Sequence, residues 1–260
     1  MKLAFMSSVF PPLTVAELIS KARQHGCEGL EFRPEWKQAH GVEVEVSGDT
    51  LKAARQAIAA ADLEACCLSP GVSFGSMDRE EHSRQLANLR RMLGLAREMG
   101  IPRIRVFGDP IPDVGRGARE AIYRLQAESL LLAAREAREA GVILCLETHG
   151  NFRAFDAGEV LHRAGYPPAL RVNWHLGHCL RHGEDVDEAY RHVKGLVAHV
   201  HFNIGEEKVM PTHLERQAEL LLAEGYSGFF SVEVIKPPDG DQALKAHAAF
   251  WQELRKKLGF

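Results

Sequence analysis

Short apolar runs alternate along the chain with longer segments in which apolar residues recur every three or four positions. The first pattern predicts buried strands and the second predicts amphipathic helices. The runs predicted as strands cover residues 2–9, 27–32, 63–68, 104–107, 142–147, 170–174, 196–202 and 229–234. Each run is followed by a predicted helix, so the sequence predicts eight strand-plus-helix units.

The predicted helices begin and end at recognisable residues. Thr14 is followed three positions later by Glu17, which is a capping-box pattern, and that helix ends at Gly26. The other helices are predicted near residues 49–62, 78–99, 119–140, 157–163, 186–193, 214–224 and 242–257. Five of the later helix ends are marked by Gly100, Gly141, Gly165, Gly195 and Gly225.

Strict alternation of strands and helices predicts parallel strands joined by right-handed crossovers. Eight units in 260 residues predict an α/β fold of one closed (β/α)8 TIM barrel, with residues 1–260 as a single domain. An open doubly wound sheet is the alternative. That fold usually carries a glycine-rich nucleotide loop after its first strand, and residues 7–11 do not resemble one.

Composition narrows the class of protein further. The net charge of −3 offers no basic excess for a nucleic-acid backbone. The five cysteines show no CxxC spacing, which is typical of reduced thiols in a cytoplasmic protein. No signal-peptide pattern or apolar stretch of membrane-spanning length is present in the sequence. We therefore expect a cytoplasmic protein without nucleic-acid or membrane partners.

The predicted fifth to eighth strands each end in a carboxylate or an imidazole. These residues are Glu147, His175, His201 and Glu233. If they point into the barrel, the alternation of strand side chains turns their apolar neighbours toward the helices. The four side chains would then meet at the C-terminal mouth, where barrel active sites lie. Two carboxylates and two imidazoles suit one divalent Mn, Co, Fe or Zn ion better than Mg. The alternative is that any one of these four residues is an ordinary solvated loop residue and not a metal ligand.

Other histidines are assigned by the same alternation. His199 lies one layer deeper than His201 and is predicted to be a core residue rather than a ligand. His149 lies two residues beyond Glu147, either behind the ligands or exposed, and His178 is predicted on a loop over the mouth. The remaining histidines are predicted on the surface: His25, His40, His82, His162, His182, His192 and His247.

Charged and aromatic residues at the ends of earlier strands leave two alternatives. Glu31, Arg33 and Arg105 have inward parity, and a buried charge needs a partner. They either pair with one another or face a polar substrate. Trp36 and Phe74 lie in loops on the same face and either cover a sugar ring or pack against the barrel.

These strand ends resemble those of the xylose-isomerase-like TIM barrels, in particular the branch of ketose 3-epimerases, hydroxypyruvate isomerase and inosose dehydratase. The fifth-strand glutamate of that family matches Glu147, and its sixth-strand Asp-x-x-His matches His175 to His178. Its seventh-strand His-x-His ends at His201, and its eighth-strand glutamate matches Glu233. The resemblance implies a metal-dependent isomerase or epimerase of a small keto-sugar or related polyol.

The resemblance also implies a role for each residue. Glu147 and Glu233 would both bind the metal and act as an acid/base pair, transferring a proton through a metal-stabilised enediolate. His178 would hydrogen-bond a substrate oxygen. The sequence leaves open a metal-dependent dehydratase, a lyase acting on a keto-inositol-like substrate, and a non-catalytic barrel that binds sugar or metal. A homo-oligomer also stays open.

Several positions depart from the family pattern. The sixth-strand aspartate is His175 here, and the Lys-Asp that commonly follows the seventh-strand histidine is Asn203-Ile204. Residues 206–211 replace a glycine-rich loop, and no arginine follows His201 closely. The endonuclease IV branch needs three metals, with histidines on strands three and four. Those strands have none here, which again disfavours a nucleic-acid substrate.

Overall fold

The computed structural model describes residues 1–112 and 115–260. The strands in these ranges are β1 Lys2–Met6, β2 Gly29–Phe32, β3 Glu64–Leu68, β4 Arg103–Phe107, β5 Ile143–Glu147, β6 Leu170–His175, β7 Val197–Phe202 and β8 Phe229–Val232. The α-helices are α1 Val15–His25, α2 Gly48–Ala60, α3 Arg79–Met99, α4 Arg116–Glu139, α5 Ala154–Arg163, α6 Leu176–Arg181, α7 Val186–Val193, α8 Pro211–Ala223 and α9 Gly240–Leu258.

The eight strands are all parallel and pair in sequence order, and β8 closes the sheet against β1. This closed barrel confirms the predicted (β/α)8 fold and excludes the open sheet. The register places Phe107 beside Glu147, and His175 beside His201. The C-terminal ends of β4 to β8 therefore lie at one rim of the barrel.

Side chains on the two faces of the strands differ in character. Leu144, Leu146, Val172 and Trp174 are fully buried in the apolar layer between the strands and the helices, as the alternation predicts. The barrel interior is more polar, because Glu31, Arg105, Asn173 and His199 are also fully buried. The fold thus places titratable groups inside the barrel, beneath its C-terminal mouth.

The helix boundaries follow the sequence signals closely at the start of the chain. Thr14 Oγ1 accepts a hydrogen bond from the backbone of Glu17, whose carboxylate accepts one from Thr14 N, so the predicted capping box is present. Gly26 ends α1 in the left-handed region at φ 67°. Among the described residues, no helix combines the length and apolarity that crossing a membrane requires.

Three local expectations were wrong. The first strand ends at Met6, because Ser7–Val9 form a 3-10 turn. His178 lies on α6 rather than on a loop, since the chain passes from His175 directly into that helix.

The third wrong expectation concerns three histidines predicted on the surface. His40, His82 and His247 are buried, and each finds hydrogen-bond partners there. An example is His82 Nδ1, which lies 2.7 Å from the Ser129 hydroxyl.

Candidate metal centre

The four residues predicted at the strand ends lie together at the mouth of the barrel. Each of Glu147, His175, His201 and Glu233 offers one ligand atom, and these atoms all lie within 4.8 Å of one another. His201 Nδ1 is 2.6 Å from Glu147 Oε1 and 3.2 Å from Glu233 Oε2. His175 Nδ1 is 3.1 Å from the same oxygen of Glu233. Two carboxylate oxygens and two Nδ1 atoms thus face a common centre.

The protonation of this cluster follows from its mixture of charges. Burial alone would lower the pKa of His175 and His201, but the surrounding carboxylates raise both pKa values well above the usual range. Burial would raise the pKa of Glu147 and Glu233, but the neighbouring histidines hold both pKa values low. Ionised glutamates are ready to bind a cation, which must displace protons from the two imidazoles.

The donor atoms fit a divalent transition metal. Glu147 Oε2 and His175 Nδ1 are buried and make no well-aligned hydrogen bond within the described residues, although Arg105 Nε lies 3.4 Å from the first and Glu233 Oε2 lies 3.1 Å from the second. Buried polar atoms without partners are costly unless another group satisfies them. Mixed imidazole and carboxylate donors suit Mn, Co, Fe or Zn. The geometry therefore accommodates the ion that the sequence predicts.

A second carboxylate lies behind each imidazole. His201 Nε2 contacts Glu31 Oε1 at 2.8 Å, and His175 Nε2 contacts Glu206 Oε1 at 2.8 Å. Metal-binding histidines commonly donate their other ring nitrogen to a carboxylate, which fixes the ring orientation and strengthens the ligand. Both rings thereby present Nδ1 to the common centre.

Sequence reasoning missed the role of Glu206, which it treated only as part of the loop 206–211. A Cβ atom on Gly177 would overlap Glu206 Oε2, so the carboxylate occupies space that only glycine leaves free. The one available signal was a glycine two residues after His175, together with an acidic residue in the next mouth loop. That signal is weak without knowledge of how the two loops pack.

Glu31 has its partners inside the barrel. Its carboxylate accepts a hydrogen bond from the Ser69 hydroxyl and contacts the Nε2 atoms of His199, at 2.9 Å, and of His201. Glu31, Cys67 and His199 could together offer three ligand atoms. However, burial raises the pKa of the Cys67 thiol well above its usual range, and a protonated thiol is a poor metal ligand. The predicted core role of His199 agrees with this hydrogen-bonded position.

His178 and His149 stand side by side at the mouth. The Gly150 backbone N–H donates to His178 Nδ1 at 3.1 Å. Burial, and then the positive charges of His175 and His149, lower the pKa of His178 to about 3. His178 is therefore neutral, and its proton is on Nε2. His149 is one-third exposed, and its Nδ1 contacts Asp109 Oδ2 at 2.9 Å.

The charged and aromatic residues of the early strands have different surroundings in the structure. Arg105 Nε lies 3.4 Å from Glu147 Oε2, next to the candidate metal centre. The Arg33 guanidinium stacks at 3.9 Å over the ring of Trp36, which is exposed. Phe74 is fully buried and packs in the apolar core, so it does not cover the mouth.

A closed eight-stranded barrel with a carboxylate and imidazole cluster at its mouth defines a class of TIM-barrel proteins. The family model described as xylose isomerase-like TIM barrel matches residues 19–254. The chain belongs to this family, as its strand ends indicate. No curated protein matches it significantly by sequence.

Solved structures share the fold at low sequence identity. An L-ribulose 3-epimerase is 18% identical, with a TM-score of 0.80 over 99% of this chain and 95% of that chain. A D-psicose 3-epimerase studied with D-fructose is 16% identical, with a TM-score of 0.78 over 100% of both chains. The IolI protein with a bound zinc atom is 15% identical, with a TM-score of 0.79 over 99% of this chain and 98% of that chain.

Proposed function

We propose that the protein is a metal-dependent isomerase or epimerase of a small keto-sugar or related polyol. Glu147, His175, His201 and Glu233 would hold one divalent ion. The observation that carries this proposal is the convergence of their four ligand atoms within 4.8 Å of one another. Similarity to a zinc-containing structure and to two ketose epimerases supports it.

The reaction we propose removes a proton from the carbon next to a carbonyl group and returns it. A base for this step must be ionised at the working pH and within reach of the carbon. Glu147 and Glu233 meet the first condition, since both pKa values are held low. One oxygen of each glutamate contacts His201 Nδ1, so two bases border one centre. A bound divalent ion would supply Lewis-acid stabilisation of negative charge on the substrate oxygens.

His178 completes the proposed machinery as a hydrogen-bond donor. Its Nδ1 accepts from Gly150, so Nε2 carries the proton and would donate it in a hydrogen bond to a substrate oxygen. The pKa of about 3 keeps the ring neutral throughout the physiological range. His178 would therefore orient the substrate and would not itself transfer the proton.

Two alternatives use the same residues. A dehydratase of a keto-inositol-like substrate would begin with the same proton removal and then expel a hydroxide from the neighbouring carbon. A non-catalytic sugar- or metal-binding barrel would need no base. The contact of Glu206 with His175 argues for a working metal site, because it returns a negative charge to the position where the family pattern has an aspartate.

Proton exchange tests the proposal directly. The holoprotein is incubated in D2O with a panel of keto-sugars and inositol derivatives, and NMR follows deuterium entering the carbon next to the carbonyl. We expect exchange with at least one keto-sugar. We also expect Glu147→Gln and Glu233→Gln to slow it by at least about 100-fold, as for the loss of an acid/base group.

The matched control is Glu207→Gln, which changes an exposed carboxylate in the same mouth loop as Glu206. It should leave exchange unchanged. Formation of a product that has lost one water molecule would identify the dehydratase. A complete lack of exchange across the panel would leave only the binding function.

A further inference from the structure

Arg105 has donors without acceptors at a fully buried position. Its side chain is 0% exposed. Nε is ion-paired with Glu147 Oε2 at 3.4 Å, and Nη1 has no hydrogen-bond partner among the described residues. Nη2 donates to the Ser69 carbonyl at 3.3 Å. A guanidinium carries five N–H donors and is costly to bury unless they are satisfied. Arg105 therefore presents unused donors beside Glu147, at the edge of the proposed metal centre.

A second guanidinium, that of Arg33, follows β2, which lies two strands from β4 in the barrel order. Arg33 is half-buried, stacks on Trp36, and its buried Nε also has no hydrogen-bond partner among the described residues. Burial lowers the pKa of Arg33, and the positive charge of Arg105 lowers it further. Nearby glutamates act on the Arg33 pKa in the opposite direction, so the Arg33 guanidinium interacts electrostatically both with Arg105 and with the carboxylates of the site.

The nearby carboxylates all have contacts other than this pair of arginines. Glu31 contacts His199 and His201, and Glu206 contacts His175. Glu147 and Glu233 offset the two arginines in the metal-free protein. A divalent ion bound by those glutamates would neutralise much of their negative charge. Less negative charge would then remain to balance the two guanidinium groups.

Aromatic rings hold both guanidiniums without neutralising them. The Arg105 guanidinium lies 3.6 Å from the centre of the Phe107 ring, and that of Arg33 lies 3.9 Å from the Trp36 ring. Stacking on an aromatic face fixes the plane of a guanidinium and leaves its edge N–H groups available. Such an edge matches the paired oxygens of a carboxylate or phosphate.

We propose that the substrate carries an anionic group, a carboxylate or a phosphate, which Arg33 and Arg105 bind beside the metal centre. This inference rests on the proposed function, because it places the anionic group at the far end of the same keto-sugar. The reacting carbonyl end would lie at the four metal-binding residues. The class of substrate is then an acidic or phosphorylated keto-sugar rather than a neutral one.

The test compares ligands with a common ketone end. D-Fructose, D-fructuronate and D-fructose 6-phosphate differ in the group at the far carbon, which is neutral, a carboxylate or a phosphate. Each is titrated calorimetrically into protein loaded with Mn²⁺. We expect at least one anionic ligand to bind about tenfold or more tightly than D-fructose, which corresponds to about 1.4 kcal/mol. The anionic ligand that binds more tightly shows whether the preferred group is a carboxylate or a phosphate.

Variants assign the preference to the arginines. Arg33→Gln and Arg105→Gln should each reduce the ratio of D-fructose Kd to anionic-ligand Kd severalfold, toward one. The ratio is read within one protein, so a general loss of metal or of site geometry affects both ligands. Arg33→Gln alone suffices if Arg105→Gln does not fold. Lys208→Gln is the control, because it removes an exposed cation from a mouth loop and should keep the ratio.

Several outcomes would overturn the inference. They are equal or weaker binding of both anionic ligands relative to D-fructose, no binding of either anionic ligand, and a preference that survives in the arginine variants. Failure of the proposed function appears differently, as missing deuterium exchange with every keto-sugar. A protein that exchanges deuterium into D-fructose but shows no anion preference would refute only the inference about substrate class.

Discussion

Glu206 Oε1 lies 2.8 Å from Nε2 of His175, while Nδ1 of the same ring lies 3.1 Å from Glu233 Oε2. The ring therefore connects a mouth-loop carboxylate with the proposed metal centre. In the family pattern, a sixth-strand aspartate carries a negative charge at this position. Here the negative charge is on Glu206, on the far side of the His175 ring. The proposed centre would thus gain an imidazole ligand without losing the local negative charge.

Removing this outer carboxylate should weaken metal binding. Glu206→Gln keeps the size of the side chain and removes its charge, and we expect the metal affinity to fall about 10- to 100-fold, as at other sites that lose such a partner. Competition with a metal-binding dye measures the affinity. Glu207→Gln is the control and should bind as the wild type does. Equal affinities in the two variants would show that Glu206 has no part in the metal site.

Gly177→Ala should weaken the same contact without changing either partner. The new Cβ would overlap Glu206 Oε2, so the carboxylate would have to move away from His175. We expect the metal affinity of Gly177→Ala to fall, as it should for Glu206→Gln. The double variant Gly177→Ala, Glu206→Gln should bind little worse than Glu206→Gln alone. Additive losses would mean that the alanine acts by another route.

Replacing His175 by aspartate should change both the metal preference and the effect of Glu206. Imidazole favours borderline ions and carboxylate favours harder ones, so His175→Asp should shift the preference from Zn and Co toward Mn and Mg. The introduced carboxylate would also face the Glu206 carboxylate with no imidazole between the two negative charges. In this background Glu206→Gln should therefore strengthen metal binding or leave it unchanged. Competition assays with paired metals measure both effects, and an unchanged order of preference would contradict the argument.

A separate prediction concerns stability and the buried His40. Burial lowers the pKa of His40 to about 4, and its Nδ1 accepts a hydrogen bond from Val42 N at 2.9 Å. The unfolded chain has a histidine pKa of about 6.5. The folded state therefore favours the neutral ring, which contributes its full stability above about pH 6.5. That contribution is lost as pH falls toward 4, and the total loss is about 3 kcal/mol.

Urea unfolding of the metal-free protein at pH 7 and pH 4.5 measures this effect. His40→Asn retains an acceptor for Val42 N–H but has no titrating ring. We expect the wild type to lose about 2 kcal/mol more than the variant on acidification. His162→Asn, at an exposed histidine, should follow the wild type. Parallel losses in wild type and His40→Asn would mean that His40 is accessible to protons in the fold.

The sequence predicts the barrel and the four strand-end residues for a common physical reason. Parallel strands place their C-terminal ends at one rim, and alternation fixes which side chains point inward. Glu147 and His201 could therefore be assigned without knowledge of any loop. The partner of His175 could not, because Glu206 lies in a loop whose path depends on tertiary packing and on the space left by Gly177.

The wrong histidine assignments have a related cause. His40 and His82 lie in a loop and on a helix, where polarity alone predicts exposure. Burial became favourable because each imidazole found a specific partner, Val42 N for one and the Ser129 hydroxyl for the other. Such pairings join residues from different parts of the chain or depend on a particular turn, and a local pattern does not contain them.

The metal content of the purified protein tests the central claim most directly. After loading with a divalent ion and desalting, elemental analysis is performed on wild type, His201→Ala, Glu233→Gln and the control His162→Ala. The account predicts one ion per chain in the wild type and the control, and a strong loss in the two site variants. Full retention of metal in both site variants, or its absence from the wild type, would contradict it.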